Sequence, residues 1–110
     1  MKQREIWYAD LNPVMGSEQS GHRPIVIVSG DMLNEHLPVV ISCPLTTKIK
    51  NYKGNIILAP DKQNGLSQMS EIIIFHIRSI SKDRLLKKIG SISEDELARL
   101  KQGLDDILRY

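Results

Sequence analysis

The stretch that decides the fold is "RPIVIVSGDMLNEHLPVVISCPLTT", residues 23–47. It contains two short apolar runs rich in β-branched residues, "PIVIVS" at 24–29 and "VVISCPL" at 39–45, and such runs are typical of well-buried strands. Between them, "DMLNEHL" at 31–37 has room for one or two helical turns before Pro38 ends the helix. The stretch therefore predicts two buried strands joined by a short helix.

Strand patterns continue on both sides of this stretch. "EIWYADL" at 5–11 alternates between two faces, and "GNIILA" at 54–59 is a further apolar run. "EIIIFHIRSI" at 71–80 predicts one strand that is long enough to bend across a barrel, and Asn64-Gly65 marks a turn before it.

The last third of the chain predicts a short helix, "SKDRLL" at 81–86, an edge strand, "KKIGSI" at 87–92, and a long final helix. Ser93 followed by Glu96 fits a capping box, in which each side chain satisfies an unpaired backbone donor. Gly103 inside this helix costs about 1 kcal/mol relative to alanine, so packing must hold the helix in place. One helix face is apolar, and we expect it to pack wholly on the sheet: Leu97, Leu100, Leu104, Ile107 and Leu108.

Together these elements predict a mainly β fold with short helices, a small, strongly bent sheet or half-open barrel closed by the C-terminal helix. A length of 110 residues suits a single domain over 1–110, and 41% hydrophobic with 25% charged residues is an ordinary globular composition. No apolar run approaches the ~20 residues that cross a bilayer, and the N-terminal residues lack a signal-peptide pattern. We therefore expect a cytoplasmic protein without membrane contact.

Charge and motif content exclude several classes of function. The net charge of +2 permits nucleic-acid binding but is low for a dedicated duplex-binding protein. The single cysteine, Cys43, excludes an internal disulfide and a thiolate-rich zinc site, and the three histidines lack the spacing of metal ligands. Neither a nucleophile elbow nor a phosphate-binding glycine-rich loop is present. We therefore expect no metal and no other cofactor.

The loop "GSEQSGHRP" at 16–24 brings an acid, an imidazole and a guanidinium together between two predicted strands. Its glycines allow tight turning, and loops collect polar residues anyway, so spacing alone leaves a purely structural explanation open. Pro24 biases Arg23 toward an extended backbone, which would project the guanidinium from a strand edge. The candidate side chains of the loop are Ser17, Glu18, Gln19, His22 and Arg23.

Two further places put polar groups among apolar strands. "CPLTTK" at 43–48 ends a strand with two threonines, which are more often turn hydroxyls or plain β-formers than functional groups. "FHIRS" at 75–79 would place His76 and Arg78 on the same face of one strand, since side chains alternate. A lone strand histidine is more often a satisfied structural residue than a catalyst.

An acid, an imidazole, a guanidinium and nearby threonine hydroxyls suit metal-free cleavage of RNA. RNA carries its own nucleophile in the 2′-OH, so the protein needs only a base, a stabilising cation and an acid for the departing 5′ oxygen. Arginine and threonine donors fit phosphate oxygens, and the arginine fork can donate two parallel bonds. DNA lacks the nucleophile and would be inert.

At this point three segments resemble a known family: "WYADLNPVMGSEQSGHRPIVIVS" at 7–29, "CPLTT" at 43–47 and "HIRSISKDRLLKKIGSISEDELARL" at 76–100. In this order they look like the MazF/PemK family of bacterial toxins over nearly the whole chain. The resemblance implies a sequence-specific endoribonuclease that cleaves single-stranded RNA without a metal and leaves a cyclic phosphate and a 5′-OH. It also implies a homodimer of small SH3-like barrels of the MazF/PemK/CcdB type. A cognate antitoxin with a flexible segment, which we expect to be acidic, would lie across the RNA groove.

The resemblance also assigns roles to residues. Arg23 in the "RP" step matches the family's catalytic arginine, and Thr46 matches its catalytic threonine. Because arginine stays protonated, we expect Arg23 to stabilise the charge of the phosphorane, with Thr46 as a second donor and Glu18 or His22 as the proton acceptor. The side chains expected to bind RNA are Ser17, Gln19, Thr47, His76 and Arg78.

Two departures from the family pattern and two alternative functions remain. Arg4-Glu5 replaces the usual Gly-Asp, which adds a positive charge and removes a flexible residue near the expected dimer surface. His76 stands where a base-contacting glutamine is frequent, and because of this second change no recognition sequence can be carried over. A CcdB-like toxin would share the barrel but trap DNA gyrase without using Arg23 and Thr46. A catalytically silent RNA-binding barrel is the other alternative.

Overall fold

The computed structural model describes residues 1–11 and 21–110, so the candidates Ser17, Glu18 and Gln19 lie outside the described residues. The described ranges contain seven strands and two α-helices. In chain order these are β1 Glu5–Asp10, β2 His22–Ile27, α1 Asp31–His36, β3 Val39–Thr46, β4 Ile56–Leu58, β5 Ser70–Ile72, β6 Arg78–Ser81, β7 Leu85–Ser91 and α2 Glu94–Arg109. Short 3-10 turns at Ile74–His76 and Lys82–Arg84 precede β6 and β7.

The strands form one antiparallel path in the order β4-β5-β3-β2-β1-β7, with β6 also paired to β3. Strand β3 pairs with β2 along one edge and with two strands in succession along the other. Val40 lies opposite Ile80 of β6, whereas Leu45 lies opposite Ile72 of β5. The sheet therefore bends around β3, and the predicted half-open barrel closed by a C-terminal helix is confirmed.

Apolar side chains form two clusters, one on each face of the central strands. Strand β2 contributes Val26 to one cluster and Ile25 and Ile27 to the other, because successive side chains point to opposite faces. This double burial explains why residues 24–29 form a continuous apolar run rather than an alternating one. Isoleucine, leucine and valine supply most of both clusters.

The prediction of one long strand at 71–80 is wrong. Strand β5 ends at Ile72, a 3-10 turn follows, and β6 begins at Arg78. The break is required because β5 and β6 pair with the same edge of β3, β5 with its end and β6 with its start. The chain between β5 and β6 must therefore leave the sheet and rejoin it further along that edge. Asn55 supports the turn, since its Oδ1 accepts a 3.1 Å hydrogen bond from the Ile74 amide.

The final helix begins with the predicted capping box. The Ser93 amide donates to Glu96 Oε1 at 2.8 Å, and the Glu96 amide donates to Ser93 Oγ at 3.1 Å. Leu97 and Leu100 are buried, but Leu108 is 86% exposed, so the expectation that the whole apolar face packs on the sheet is wrong for the last turn. Within 1–11 and 21–110, no helix is long and apolar enough to cross a membrane.

Arg4 occupies a backbone conformation that normally favours glycine, with φ of 81°. Its amide donates to the Ile27 carbonyl at 2.8 Å, and its Nη1 donates to the Ile92 carbonyl at 3.0 Å. These bonds help to offset the strain at a position where the resembled family usually has glycine. The neighbouring Glu5 pairs with Lys88, whose Nζ lies 3.1 Å from Glu5 Oε2.

Gly103 lies where α2 approaches the rest of the fold closely. An added Cβ would lie 2.6 Å from Ile74 Cδ1 and 2.9 Å from the Gly54 carbonyl oxygen. We expect Gly103→Ala to lower the free energy of unfolding by about 1 to 2 kcal/mol, because overpacking outweighs the gain in helix propensity. Urea unfolding followed by circular dichroism measures this, with the exposed Lys101→Ala as a control. Stabilisation by Gly103→Ala would contradict the packing described.

Cys43 lies fully buried in the core, and burial raises the pKa of its thiol to about 12. The reactive thiolate is therefore scarce at neutral pH. We expect no reaction with a disulfide reagent such as DTNB over minutes in the native protein, and reaction of one thiol per chain in denaturant. Rapid labelling of the native protein would show that the core opens readily.

Candidate active site

Two adjoining pockets open where β2 begins and β3 ends. The first, of about 360 Å³, lies between these strands and residues 65–70. We call it the polar pocket, after the side chains of His22, Arg23, Thr46, Thr47, Gln68 and Ser70. The second, of about 410 Å³, is the aromatic pocket, where Lys48, Lys50, Tyr52, Ile73, Phe75 and His76 join Arg23 and Thr46. Arg23 and Thr46 line both pockets and therefore stand where the two meet.

The pairing of β2 with β3 brings Arg23 and Thr46 together. Ile25 lies opposite Pro44 in this ladder, and the same register continued toward the pockets sets Thr46 opposite Arg23. Thr46 is only 7% exposed, and its Oγ1 accepts a 3.1 Å hydrogen bond from the Lys48 amide. A hydroxyl that accepts in this way keeps its own proton for another acceptor. The site thus presents a guanidinium and a hydroxyl donor side by side.

His22 stands at the rim of the polar pocket beside a carboxylate. Strand β1 pairs with β2 so that Asp10 lies opposite His22, and Asp10 Oδ1 is 4.0 Å from His22 Nε2. The imidazole is well exposed, so solvent and a substrate can both reach it. A carboxylate next to an imidazole can orient the ring and stabilise its protonated form.

The loop that follows Thr46 is fixed by a buried acid, Glu71 of β5. The carboxylate is fully buried and accepts four hydrogen bonds. Three come from the amides of Lys50, Asn51 and Tyr52, at 2.7, 2.8 and 3.0 Å, and one comes from Asn55 Nδ2 at 2.8 Å. One side chain therefore anchors the wall of the aromatic pocket.

These hydrogen bonds decide the ionisation of Glu71. Burial by itself would raise the pKa of this carboxyl, but the bonds from Asn55 and from the amides of Asn51, Lys50 and Tyr52 favour the charged form. The net result is a pKa below the ordinary value of 4.5. Glu71 is thus charged at neutral pH and holds the loop as a carboxylate.

Three rings stand together along the aromatic pocket. The Tyr52 and Phe75 rings lie edge to face, with centroids 5.5 Å apart, and Phe75 contacts His76 in the same way at 4.9 Å. His76 belongs to the 3-10 turn and not to a strand, so its predicted placement on one strand face with Arg78 is wrong. The turn directs residue 76 into the aromatic pocket, whereas Arg78 lies on β6 beyond it.

The sequence-based candidates thus separate into three groups. Arg23, His22, Thr46, Thr47 and His76 line the two pockets. Ser17, Glu18 and Gln19 belong to the loop outside the described residues. Arg78 lines neither pocket in the described part of the chain, so its contact with RNA stays a prediction.

Several residues of the site have no distinctive sequence pattern. Lys48, Lys50 and Tyr52 follow the second threonine without a motif, and Phe75 stands out only as the neighbour of His76. The position of Glu71 does indicate a special role. An acid that begins the apolar run "EIII" at 71–74 must either point out of the sheet into solvent or be buried among hydrogen-bond donors. Within 1–11 and 21–110, no three His, Cys, Asp or Glu side chains cluster as metal ligands would.

Comparison with known proteins now places the chain in a family. Residues 2–108 match the family model described as "PemK-like, MazF-like toxin of type II toxin-antitoxin system". The chain therefore belongs to the PemK-like, MazF-like toxin family, and the resemblance inferred from its motifs is confirmed.

Individual members support the assignment over almost the full length. "Endoribonuclease EndoA" of Bacillus subtilis is 32% identical over 105 residues, which are 94% of this chain and 90% of that protein. The solved structure of MazF from Deinococcus radiodurans has a TM-score of 0.86 at 24% identity and covers 100% of this chain and 97% of its own. A MazE-MazF structure from the same organism has a TM-score of 0.79 at 25% identity, covering 98% and 95%.

Proposed function

We propose that this chain is an endoribonuclease toxin that cleaves single-stranded RNA at specific sequences without a metal, by attack of the RNA's own 2′-OH. The observation that carries the proposal is the position of Arg23 and Thr46 at the junction of the two pockets. A phosphate at this junction would meet two donors, and the nucleotide on each side of it would have a pocket. Membership of the toxin family and the relative named an endoribonuclease support the endoribonuclease activity in this proposal.

The reaction assigns one task to each group. A base removes the 2′-OH proton, O2′ forms a bond to phosphorus, and the bond from phosphorus to the 5′ oxygen breaks as that oxygen gains a proton. The products are a cyclic phosphate and a 5′-OH. Arg23 stabilises the negative charge that the phosphorane gains, and Thr46 donates a second hydrogen bond to it. DNA gives no reaction because O2′ is absent.

His22 is the proton acceptor that the described geometry supports, since it borders the polar pocket and has Asp10 beside it. Glu18 keeps the same role as an alternative. Separate His22→Gln and Glu18→Gln variants distinguish them, because only loss of the true proton acceptor removes the rise of the cleavage rate from acid to neutral pH. Near-full cleavage by both variants would overturn this division of roles.

The remaining features of the proposal are those of the family. We propose a cytoplasmic homodimer with one domain over 1–110, neutralised by an antitoxin with an acidic, flexible segment. The cations Arg23, Lys48 and Lys50 along the pockets give such a segment an electrostatic partner. Binding of the antitoxin only to the face opposite the pockets would contradict this part.

The test is incubation of purified protein with a long mixed-sequence RNA in excess EDTA, followed by mapping of the new ends. We expect discrete cuts with 5′-OH ends, which Arg23→Ala should lack. Intact RNA from folded wild-type protein would refute the proposal. Inhibition of gyrase would then support a CcdB-like toxin, and RNA binding without cleavage would support a silent barrel.

A further inference from the structure

The Asn64-Gly65 pair has a chemical property that a turn does not need. Asparagine is a thermolabile residue, because its side-chain amide can be lost in neutral water. The loss is fastest before glycine, since glycine has no Cβ to hinder the approach of its backbone nitrogen to the asparagine Cγ. Asn64 is the only asparagine of the chain that precedes a glycine.

The fold requires glycine after Asn64. Gly65 has a φ of +66°, and a Cβ at this position would lie 2.3 Å from the carbonyl oxygen of Ile89 on β7. The turn is held against β7 beside this contact, since the Ser91 amide donates to the Gln63 carbonyl at 2.9 Å. The reactive pair is therefore built into the turn, and no larger residue at position 65 can replace it without strain.

Hydrogen bonds hold the reacting atoms of this pair apart in the folded chain. Asn64 Oδ1 accepts from the amides of Asp61 and Leu66, at 3.1 and 3.0 Å, and Nδ2 donates to the Ala59 carbonyl at 2.9 Å. The nitrogen that would attack, that of Gly65, donates its hydrogen to the Asp61 carbonyl at 3.1 Å. Asn64 is also only 1% exposed, so solvent has little access to the pair.

We propose that Asn64-Gly65 is a site of spontaneous deamidation that the native fold closes and unfolding opens. In the unfolded chain the Gly65 nitrogen loses its proton to solvent and bonds to Asn64 Cγ, and ammonia leaves, which closes a succinimide ring. Water then adds to either carbonyl of the ring and opens it, so the product is aspartate or isoaspartate at position 64. The reaction consumes water, releases ammonia and changes no oxidation state.

Neither product can rebuild the turn as it was. An aspartate has no hydrogen to donate to the Ala59 carbonyl, and it buries a charge beside Asp61, whose Oδ1 accepts a 2.7 Å hydrogen bond from the Asn64 amide. Isoaspartate leads the main chain through the former side chain and lengthens it by a carbon atom within the turn. The segment 65–68 lines the polar pocket. A chain that unfolds for long enough to react therefore does not regain this pocket.

The test measures conversion of asparagine in folded and in unfolded protein. Wild type is incubated at neutral pH with and without guanidinium chloride, and is then digested with trypsin under mildly acidic conditions. Cleavage after Lys62 and Arg78 gives a peptide in which Asn64 is the only asparagine, and mass spectrometry measures its deamidated fraction. Asn55, which precedes isoleucine, is the internal control. Gly65→Ala is the matched variant and is compared only in denaturant, where folding plays no part.

We expect Asn64 to convert in denaturant and at least about 100-fold more slowly without it, because the reaction must await opening of a buried, hydrogen-bonded turn. Over the same time Asn55 should stay unchanged, and Gly65→Ala in denaturant should convert several-fold more slowly than wild type. Equal rates for Asn64 in folded and unfolded protein would overturn the proposal. Conversion in denaturant that is no faster than that of Asn55 would overturn it as well.

Refolding tests the consequence for the fold. Partly converted protein is freed of denaturant, and size-exclusion chromatography separates folded protein from unfolded and aggregated chains. We expect the folded fraction to contain almost only unconverted Asn64, with the products concentrated in the other chains. Equal shares of product in both fractions would refute the one-way loss. None of these readouts uses RNA cleavage, so their outcome is independent of the proposed function.

Discussion

Replacing Arg23 with alanine is expected to lower the rate of RNA cleavage about 10²- to 10³-fold, which is the usual effect of removing one donor to a developing oxyanion. Arg23 lines both pockets beside Thr46, so no second arginine of the described pocket lining can replace it. Lysine at this position should recover part of the loss, since it restores the charge but not the two parallel hydrogen bonds. Single-turnover cleavage of a labelled RNA measures all three rates.

A matched control uses another arginine of the same chain. Arg99 is exposed on α2, and Arg99→Ala should cleave at the wild-type rate. Arg23→Ala should also unfold at nearly the wild-type urea concentration, since the half-buried side chain belongs to neither apolar cluster. A rate within a few-fold of wild type in folded Arg23→Ala would place the chemistry elsewhere.

Replacing Glu71 with glutamine should destabilise the protein at neutral pH by about 2 to 3 kcal/mol and lower cleavage as well. Glutamine keeps the volume but removes the charge, and its NH₂ group meets donors where the carboxylate accepted four hydrogen bonds. The loop that carries Lys48, Lys50 and Tyr52 should then lose its fixed position. Urea unfolding and the Km for RNA give the two readouts, and Glu35→Gln, at an exposed site on α1, is the control.

The effect of pH on Glu71 has a definite sign. Its pKa in the folded protein lies below 4.5, so its stabilisation is complete above that pH and is lost as pH falls through the lowered value. Wild type should therefore lose stability toward acid more steeply than Glu71→Gln does. Glu5, whose pKa is also lowered, contributes equally to both proteins and cancels in the comparison. Parallel acid profiles of the two proteins would show that Glu71 is not the anchor described.

Most strands were predictable because each is buried on at least one face and bounded by turn residues. The apolar run at 24–29 is continuous rather than alternating because β2 packs on two apolar clusters. The capping box of Ser93 and Glu96 predicted where α2 begins. The end of that helix was not predictable in the same way. Helical spacing alone places Ile107 and Leu108 on the apolar face, but both side chains are exposed in the folded chain.

The break within 71–80 could not be predicted from composition. Four consecutive apolar residues from Ile72 to Phe75 favour a strand, and the turn among them depends on β3 having two successive partners along one edge. Such pairing is a tertiary constraint, and it overrides local propensity. Because of this break, His76 and Phe75 belong to the site although Arg78 does not line it.

The catalytic candidates Arg23 and Thr46 could be predicted from sequence motifs rather than from the burial pattern that predicted the strands. Arg23 and Thr46 lie at the ends of two strands whose motifs are distinctive, and pairing of those strands brings the ends together. The aromatic pocket has no comparable motif. Its walls come from a loop and a turn that Glu71 and Asn55 connect through hydrogen bonds, over 16 to 21 residues of chain.

The most direct test of attack by the RNA's own 2′-OH uses one RNA that is cut at a mapped position and a copy with 2′-deoxyribose at the nucleotide that supplies the attacking oxygen. We expect the substituted RNA to bind comparably but to remain uncut at that position, while the unmodified RNA yields a cyclic phosphate and a 5′-OH. Cleavage of the substituted RNA at the same position would contradict it, because the nucleophile would then have to come from water or from the protein.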